Sequence, residues 1–192
     1  MTAVWYARAD LVVVGTGVAG LTAALRARSL GLRVLVVTKM AVDDGNTRWA
    51  QGGVAVVLPG DGDPRDSIDA HVAGAGLSEP AAVAAILADG PDAVARLRDR
   101  GAVFDRDAGG ALARGREGGH SAFRVVHAGG DATGAEVERA LSTAVRDERV
   151  PVLEGHIAVD ALRTGAGAVA GLLVLDANGV AGVLSAPATP FA

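Results

Sequence analysis

Residues 10–39 read DLVVVGTGVAGLTAALRARSLGLRVLVVTK, and this stretch decides the fold. Asp10 to Val14 is a short β-branched apolar run, the pattern of a strand buried on both faces of a parallel sheet. The glycine-rich turn GTGVAG follows. From Gly20 to Leu30, good helix formers set Leu21, Ala24, Leu25 and Leu30 along one side, and Gly31 stands where a helix stops. Val34 to Val37 is a second buried strand. Strand, glycine turn, helix and strand make a βαβ unit with a right-handed crossover, which predicts an α/β fold of Rossmann-like type.

The glycines carry the first chemistry. Gly15, Gly17 and Gly20 give GxGxxG, interleaved with Thr16, Val18 and Ala19. The first glycine allows the tight turn, the second lets a pyrophosphate approach the backbone, and the third permits close helix packing. The helix amino terminus then faces the phosphate. A dinucleotide site is therefore expected here. The second strand ends in Thr38 and Lys39 where an NAD site typically has Asp or Glu for a ribose, which counts against ordinary NAD binding. A lysine at that place can meet a ribose hydroxyl or a phosphate, so FAD and NADP both remain open on these residues alone.

Outward from this unit, Ala41 to Gly62 has no clear period beyond Val54 to Leu58 and reads as a long functional loop. Helical patterning returns at Ser67 to Ala75 and from Pro80, where Ser78 can cap and Val83, Ile86 and Leu87 share a face. Gly90 and Pro91 predict a break, with Pro91 opening a new helix that carries Val94 and Leu97 and ends at Gly101. Arg106 to Gly119 reads as a loop. Thr133 and Glu136 have capping-box spacing ahead of Val137, Leu141 and Val145. Pro151 to Leu162, Val169 to Asp176 and Val180 to Leu184 are strand-like, with Asn178-Gly179 as a hairpin turn. The whole reads as one α/β domain with a carboxy-terminal hairpin or meander.

Composition bounds the partners. The 192 residues are half apolar with a formal charge of −4, so no basic stripe points to nucleic acid or an anionic membrane. The absence of cysteine excludes disulfides, thiolate metal sites and thiol nucleophiles, and no metal site is expected. Arg8 and Asp10 interrupt the amino terminus before any secretory h-region, and no apolar run approaches the roughly 18 residues of a spanning helix. A soluble cytoplasmic protein is expected.

Asn46, Thr47, Arg48, Trp49, Ala50, Gln51, Gly52 and Gly53 spell NTRWAQGG. With the strand, the glycine turn and the Thr-Lys pair, this run closely resembles the FAD-binding segment of the succinate dehydrogenase and fumarate reductase flavoprotein superfamily. Through about Val145, the runs AQGGVAVV, DSIDAH, REGGHS and HAGGDATG resemble the L-aspartate oxidase family within it. The resemblance implies FAD as cofactor, with the AQGG loop against the isoalloxazine ring. Covalent relatives carry a histidine four residues before that loop, where this chain has Asn46, so noncovalent FAD is implied.

In REGGHS, the resemblance implies that Glu117 faces the substrate amino group, with His120 and Ser121 as secondary candidates for substrate or flavin. His127, Asp131 and Thr133 match the family's next run. A carboxylate in a partly desolvated site favours an amine-bearing substrate over succinate. The implied reaction oxidises L-aspartate to iminoaspartate, with O2 or fumarate as reoxidant, in the quinolinate branch of NAD biosynthesis and with quinolinate synthase as a partner. Two other readings are a fumarate reductase-like or succinate dehydrogenase-like flavoprotein, against which Asn46 and Glu117 stand, and a noncatalytic FAD-binding fragment. The family's capping domain and helical carboxy-terminal domain are absent from these residues. The last segment, SAPATPFA, stands where the family continues into an Ala-Thr-Gly-Gly strand. Pro187 and Pro190 predict that no central strand forms there, leaving an open sheet edge, an incomplete dinucleotide domain and little turnover.

Overall fold

The computed structural model describes residues 4–59, 61 and 66–192. A strand that the sequence does not announce, β1 (Trp5–Arg8), comes first. β2 (Leu11–Val14), α1 (Val18–Ser29) and β3 (Val34–Val37) then form the βαβ unit, with β2 and β3 parallel and Leu11 opposite Val34. Val12, Val13, Val36 and Val37 are fully buried, as are Leu21, Ala24 and Leu25 on the face of α1 that packs on these strands. Asp10 fixes the entrance to β2: its carboxylate accepts from Arg33 N, Nε and Nη2, and this fork holds it at about 2, well below the usual carboxylate value.

A 3₁₀ turn covers Asn46–Trp49. β4 (Val54–Ala55), α2 (Asp66–Ala73), α3 (Pro80–Asp99), β5 (Arg114–Gly115), β6 (Val125–Val126) and α4 (Thr133–Asp147) follow, then β7 (Val152–Leu153), β8 (Ile157–Arg163), β9 (Val169–Leu175) and β10 (Ala181–Ser185). The chain divides into two units, residues 1–48 with 138–192, and residues 49–137.

In the first unit, the parallel sheet has the order β2-β3-β7, and a second sheet has the order β1-β10-β9-β8. Ala9, Val12, Leu35 and Val37 meet Leu172, Val174, Leu184 and Ala186 in one buried cluster, so the second sheet covers one face of the first. The hairpin between β9 and β10 turns at Asn178-Gly179, as its sequence indicates, with Gly179 at φ +76. Asp176 Oδ1 accepts from Asn178 N and Val180 N and holds that turn together.

The tail, in which Pro187 and Pro190 predict no central strand, forms none, but it is bridged to β2. The tail runs parallel to β2: Val12 N donates to Ala188 O, Val14 N to Pro190 O, and Ala192 N to Val14 O. A proline loses its donor but keeps its carbonyl. Pro190 therefore accepts from Val14 and forfeits only the bond its own nitrogen would have made, so the ladder tolerates it.

In the second unit, β4-β6-β5 form a small antiparallel sheet. The predicted break at Gly90-Pro91 is also corrected, because α3 runs unbroken through Pro91. A proline ring disfavours the helical conformation of the preceding residue mainly through that residue's Cβ, and Gly90 has none. The cap is Glu79 rather than Ser78, with its Oε2 accepting from Ala82 N at 2.7 Å. At the start of α4, Thr133 Oγ1 accepts from Ala128 N, and Glu136 Oε1 accepts from Val103 N. Among the described residues, no helix is long and apolar enough to cross a membrane.

Candidate active site

The glycine turn is built as its spacing requires. Gly15 has φ +104, a conformation that L side chains rarely adopt. A Cβ on Gly20 would lie 2.3 Å from Gly15 O, so only a residue without one lets α1 begin so close to the turn. Gly17 caps α1 with backbone alone. The side chain that serves this helix start comes from elsewhere in the same unit: Val18 N donates to Thr47 Oγ1 at 2.8 Å. Thr47 also lies against the second glycine, 3.3 Å from where a Cβ on Gly17 would stand.

Thr16 and Thr38 are buried behind the turn, with their hydroxyls 3.3 Å apart. Val18 and Ala19 are exposed in the first turn of α1, and Lys39 is exposed at the end of β3. Asn46 and Arg48 are exposed on the 3₁₀ turn either side of Thr47. The structure thus gathers Gly15, Thr16, Gly17, Thr38 and Thr47 around one helix amino terminus. Glycines without Cβ, a positive helix end and no acidic residue at the end of β3 fit a dinucleotide pyrophosphate.

Beneath this turn lies a group that the sequence did not single out. Glu138 on α4 is 1% exposed, and neither carboxyl oxygen has a hydrogen-bond partner. Burial, reinforced by the Asp43 charge and opposed by Arg48 and the Thr47 hydroxyl beside it, pushes its carboxyl up to about 7.

In the second unit, Trp49, Ala50 and Gln51 are exposed, and the 71% exposure of Trp49 rules out a loop packed around its own tryptophan. Ala50 O accepts from Gly134 N, the second residue of α4. The paired glycines are required for different reasons, Gly53 by its crowded neighbours and Gly52 by its backbone at φ +76. A Cβ on Gly53 would lie 2.5 Å from Val126 O and 2.8 Å from His127 Nε2, and one on Gly52 would lie 3.6 Å from Glu117 Oε1. Glu117, half exposed, is hydrogen-bonded through Oε1 to His127 Nε2 at 2.9 Å. Gly52, Gly53, Glu117 and His127 therefore form one cluster.

His120 and Ser121 differ in availability. Nδ1 of His120 is buried with no partner, an orphaned polar atom in the candidate substrate loop. Ser121 is committed: its N and Oγ both donate to Asp69 Oδ2, at 2.7 and 2.9 Å. Asp69 is also paired with Arg124 at 2.9 Å, with side chains only 9% and 4% exposed. The Ser121 amide and hydroxyl, helped by Arg124, hold the Asp69 carboxyl below the usual carboxylate range. Sequence reasoning assigned no role to His127, Asp69 or Arg124, although the first two lie in the quoted runs HAGGDATG and DSIDAH. Among the described residues, no cluster of three metal-ligating side chains occurs.

Known proteins fit this geometry. A family model described as an FAD binding domain matches residues 10–187. An L-aspartate oxidase of Streptomyces coelicolor is 55% identical over 170 residues, covering 88% of this chain and 29% of that protein. One from Mycobacterium bovis is 50% identical over 194 residues, covering 98% of this chain and 36% of that protein. The chain thus spans about a third of the length of these relatives. Among solved structures, Mycobacterium smegmatis Sdh1 superposes with a TM-score of 0.91 at 29% identity, covering 98% of this chain and 34% of that one. A quinol fumarate reductase chain of E. coli superposes with a TM-score of 0.86 at 26% identity, covering 98% and 33%.

Proposed function

This chain belongs to the FAD binding domain family, and from that premise we propose that it is the cofactor-holding part of an L-aspartate oxidase. Support comes from the 47–55% identity to proteins of that name in Streptomyces and Mycobacterium. The observation that carries the reading is the Glu117–His127 pair beside Gly52 and Gly53.

In this reading, Gly15 to Gly20, Thr38, Lys39 and Asn46 to Arg48 hold FAD through backbone N–H groups, hydroxyls and charge. Trp49 to Gly53 supply the flavin-facing loop. Asn46 offers an amide rather than a nucleophilic ring nitrogen, so the cofactor is held noncovalently. Bound FAD supplies the hydride acceptor for the substrate Cα–H bond.

Glu117 binds the substrate ammonium by a charge-assisted hydrogen bond, and the His127 ring fixes the direction in which its carboxylate points. Aspartate and succinate share both carboxylates, so the ammonium is the handle on which Glu117 distinguishes them. His120, with its free Nδ1, is a second hydrogen-bonding group toward substrate, while Ser121 shapes the loop. O2 or fumarate would serve as the final electron acceptor. The iminoaspartate goes to quinolinate synthase for NAD biosynthesis in the cytoplasm.

The test is anaerobic bleaching of the flavin bands in the holoprotein. L-Aspartate is expected to bleach them and succinate is not. Glu117→Gln should raise the aspartate concentration needed by about 10- to 150-fold, the range of one lost charge-assisted bond of ~1.5–3 kcal/mol, while leaving FAD content unchanged. Equal response to aspartate in wild type and variant would contradict the assignment of Glu117.

A further inference from the structure

Asp105 has no part in the chemistry described so far, yet its hydrogen bonds grip the chain from His127 to Gly130. Its N donates to His127 O at 2.8 Å, and its O accepts from Ala113 N at 2.9 Å. Its carboxylate spans two successive amides, with Oδ1 accepting from Gly129 N at 3.0 Å and Oδ2 from Gly130 N at 3.1 Å. All of these residues belong to the second unit. Gly129 and Gly130 stand at φ +59 and +75, a left-handed pair that turns both amides onto one carboxyl group. Conformation rather than crowding requires them. A Cβ on Gly130 would meet nothing within 4 Å, and one on Gly129 would meet Ala132 Cβ at 3.6 Å.

β6 ends at Val126, so His127 is the first residue beyond the ladder, and Asp105 takes hold where strand pairing stops. The amide between, Ala128 N, is taken by Thr133 Oγ1 at 3.1 Å. The imidazole of His127 lies between two glycine backbones. A Cβ on Gly53 would come 2.8 Å from its Nε2, and one on Gly115 would come 2.9 Å from its Cε1. Such a slot places a ring only while the backbone beneath it stays put. Hydrogen bonds of this type span about 2.7–3.2 Å, so a small shift at residue 127 is enough to weaken the bond to Glu117 Oε1. We propose that Asp105 is a positioning residue for substrate discrimination: by locking residues 127–130 it fixes the His127 ring, and through that ring the Glu117 carboxylate. The proposal rests on Glu117 being the group that meets the substrate ammonium.

An ionised carboxylate offers an acceptor to each amide, whereas asparagine has one acceptor and turns its NH2 against the other N–H. Asp105→Asn therefore opens one side of the clamp at nearly constant size. Gly130→Ala opens it from the loop, through strain at φ +75 and without a steric conflict.

The test reads the ring first, without substrate, by nitrogen NMR of the four imidazoles in the purified chain, with His127→Gln identifying the signal. The Glu117 carboxylate can only accept, so the neutral His127 ring is expected to carry its hydrogen on Nε2 alone. Asp105→Asn and Gly130→Ala should each mix the two tautomers. In the FAD-loaded chain, each should raise the aspartate concentration that bleaches the flavin by about tenfold, the scale of one weakened charge-assisted bond, with FAD content unchanged. The double variant should do no more than either single one, since both open the same clamp. A residue that only stabilised the fold would lower the unfolding midpoint and leave the tautomer and the aspartate requirement as they are. That result in either folded variant overturns the proposal, and Gly130→Ala decides the matter should Asp105→Asn not fold. Glu117→Gln separates the two assignments. If it raises the aspartate requirement while the two clamp variants do not, Glu117 stands and Asp105 falls. If it changes nothing, or if the wild type ignores aspartate, Glu117 falls and takes Asp105 with it.

Discussion

Gly20→Ala is expected to abolish FAD uptake, weakening it by more than about 100-fold, or ~2.7 kcal/mol. Alanine inside a helix is ordinarily favoured over glycine by roughly 0.5–1 kcal/mol, so propensity alone predicts a small gain. Steric contact reverses the sign. The new Cβ would lie 2.3 Å from Gly15 O, a backbone atom that cannot swing away as a flexible side chain can. Either α1 backs off the turn or the turn opens. Either change moves the amino-terminal turn of α1 away from the phosphate it is proposed to hold. Gly165→Ala is the control, since a Cβ there meets nothing within 4 Å. Fluorescence titration with FAD reads the difference, and wild-type affinity in Gly20→Ala would show that the close approach is not what shapes the site.

Arg124→Ala is expected to cost the second unit about 3–5 kcal/mol, the usual penalty for stranding one member of a buried ion pair. Domain stability is only about 5–15 kcal/mol, so this single change should bring the unit near unfolding. The loop carrying Glu117 and His120 depends on the same pair. Asp69 receives Ser121 N and Oγ as well as Arg124, and without the guanidinium it is left as a buried, undercompensated charge between α2 and that loop. Replacing both partners with apolar residues of similar size should restore much of the loss, because neither charge is then orphaned. Denaturant unfolding in a Trp5→Phe background, where Trp49 is the single tryptophan, distinguishes the cases by fluorescence. A single variant as stable as wild type would mean that the pair contributes nothing net.

The parts of the fold that were legible are those whose cause is local. The run from Asp10 to Lys39 carries its own strand, turn and helix signals within 30 residues, and the structure follows them. β1, β5 and β6 were invisible because two to four residues show no period, and their pairing is set by distant partners such as Ala181–Ser185 for β1. The break anticipated in α3 failed on a local detail, the missing Cβ of Gly90. The bridging of the tail to β2 was not foreseen, because a proline that cannot donate still offers its carbonyl.

The site divides in the same way. Gly15, Gly17, Gly20, Gly52 and Gly53 were readable because glycine spacing reports backbone approach. Asp69 finds Ser121 across 52 residues, so no window of sequence contains that relation. His127 was quoted within a family run, but its contact with Glu117 exists only once β5 and β6 bring the two ends of that loop together.

The measurement that bears most directly on the central claim is the visible absorption spectrum of the purified chain, taken before and after acid precipitation. Flavin bands in the native protein that pass wholly into the supernatant are the expected result, showing FAD held by this fold without a covalent bond. A protein that is colourless and takes up no added FAD would contradict the assignment of the glycine turn, and flavin that stays with the precipitate would contradict noncovalent binding beside Asn46.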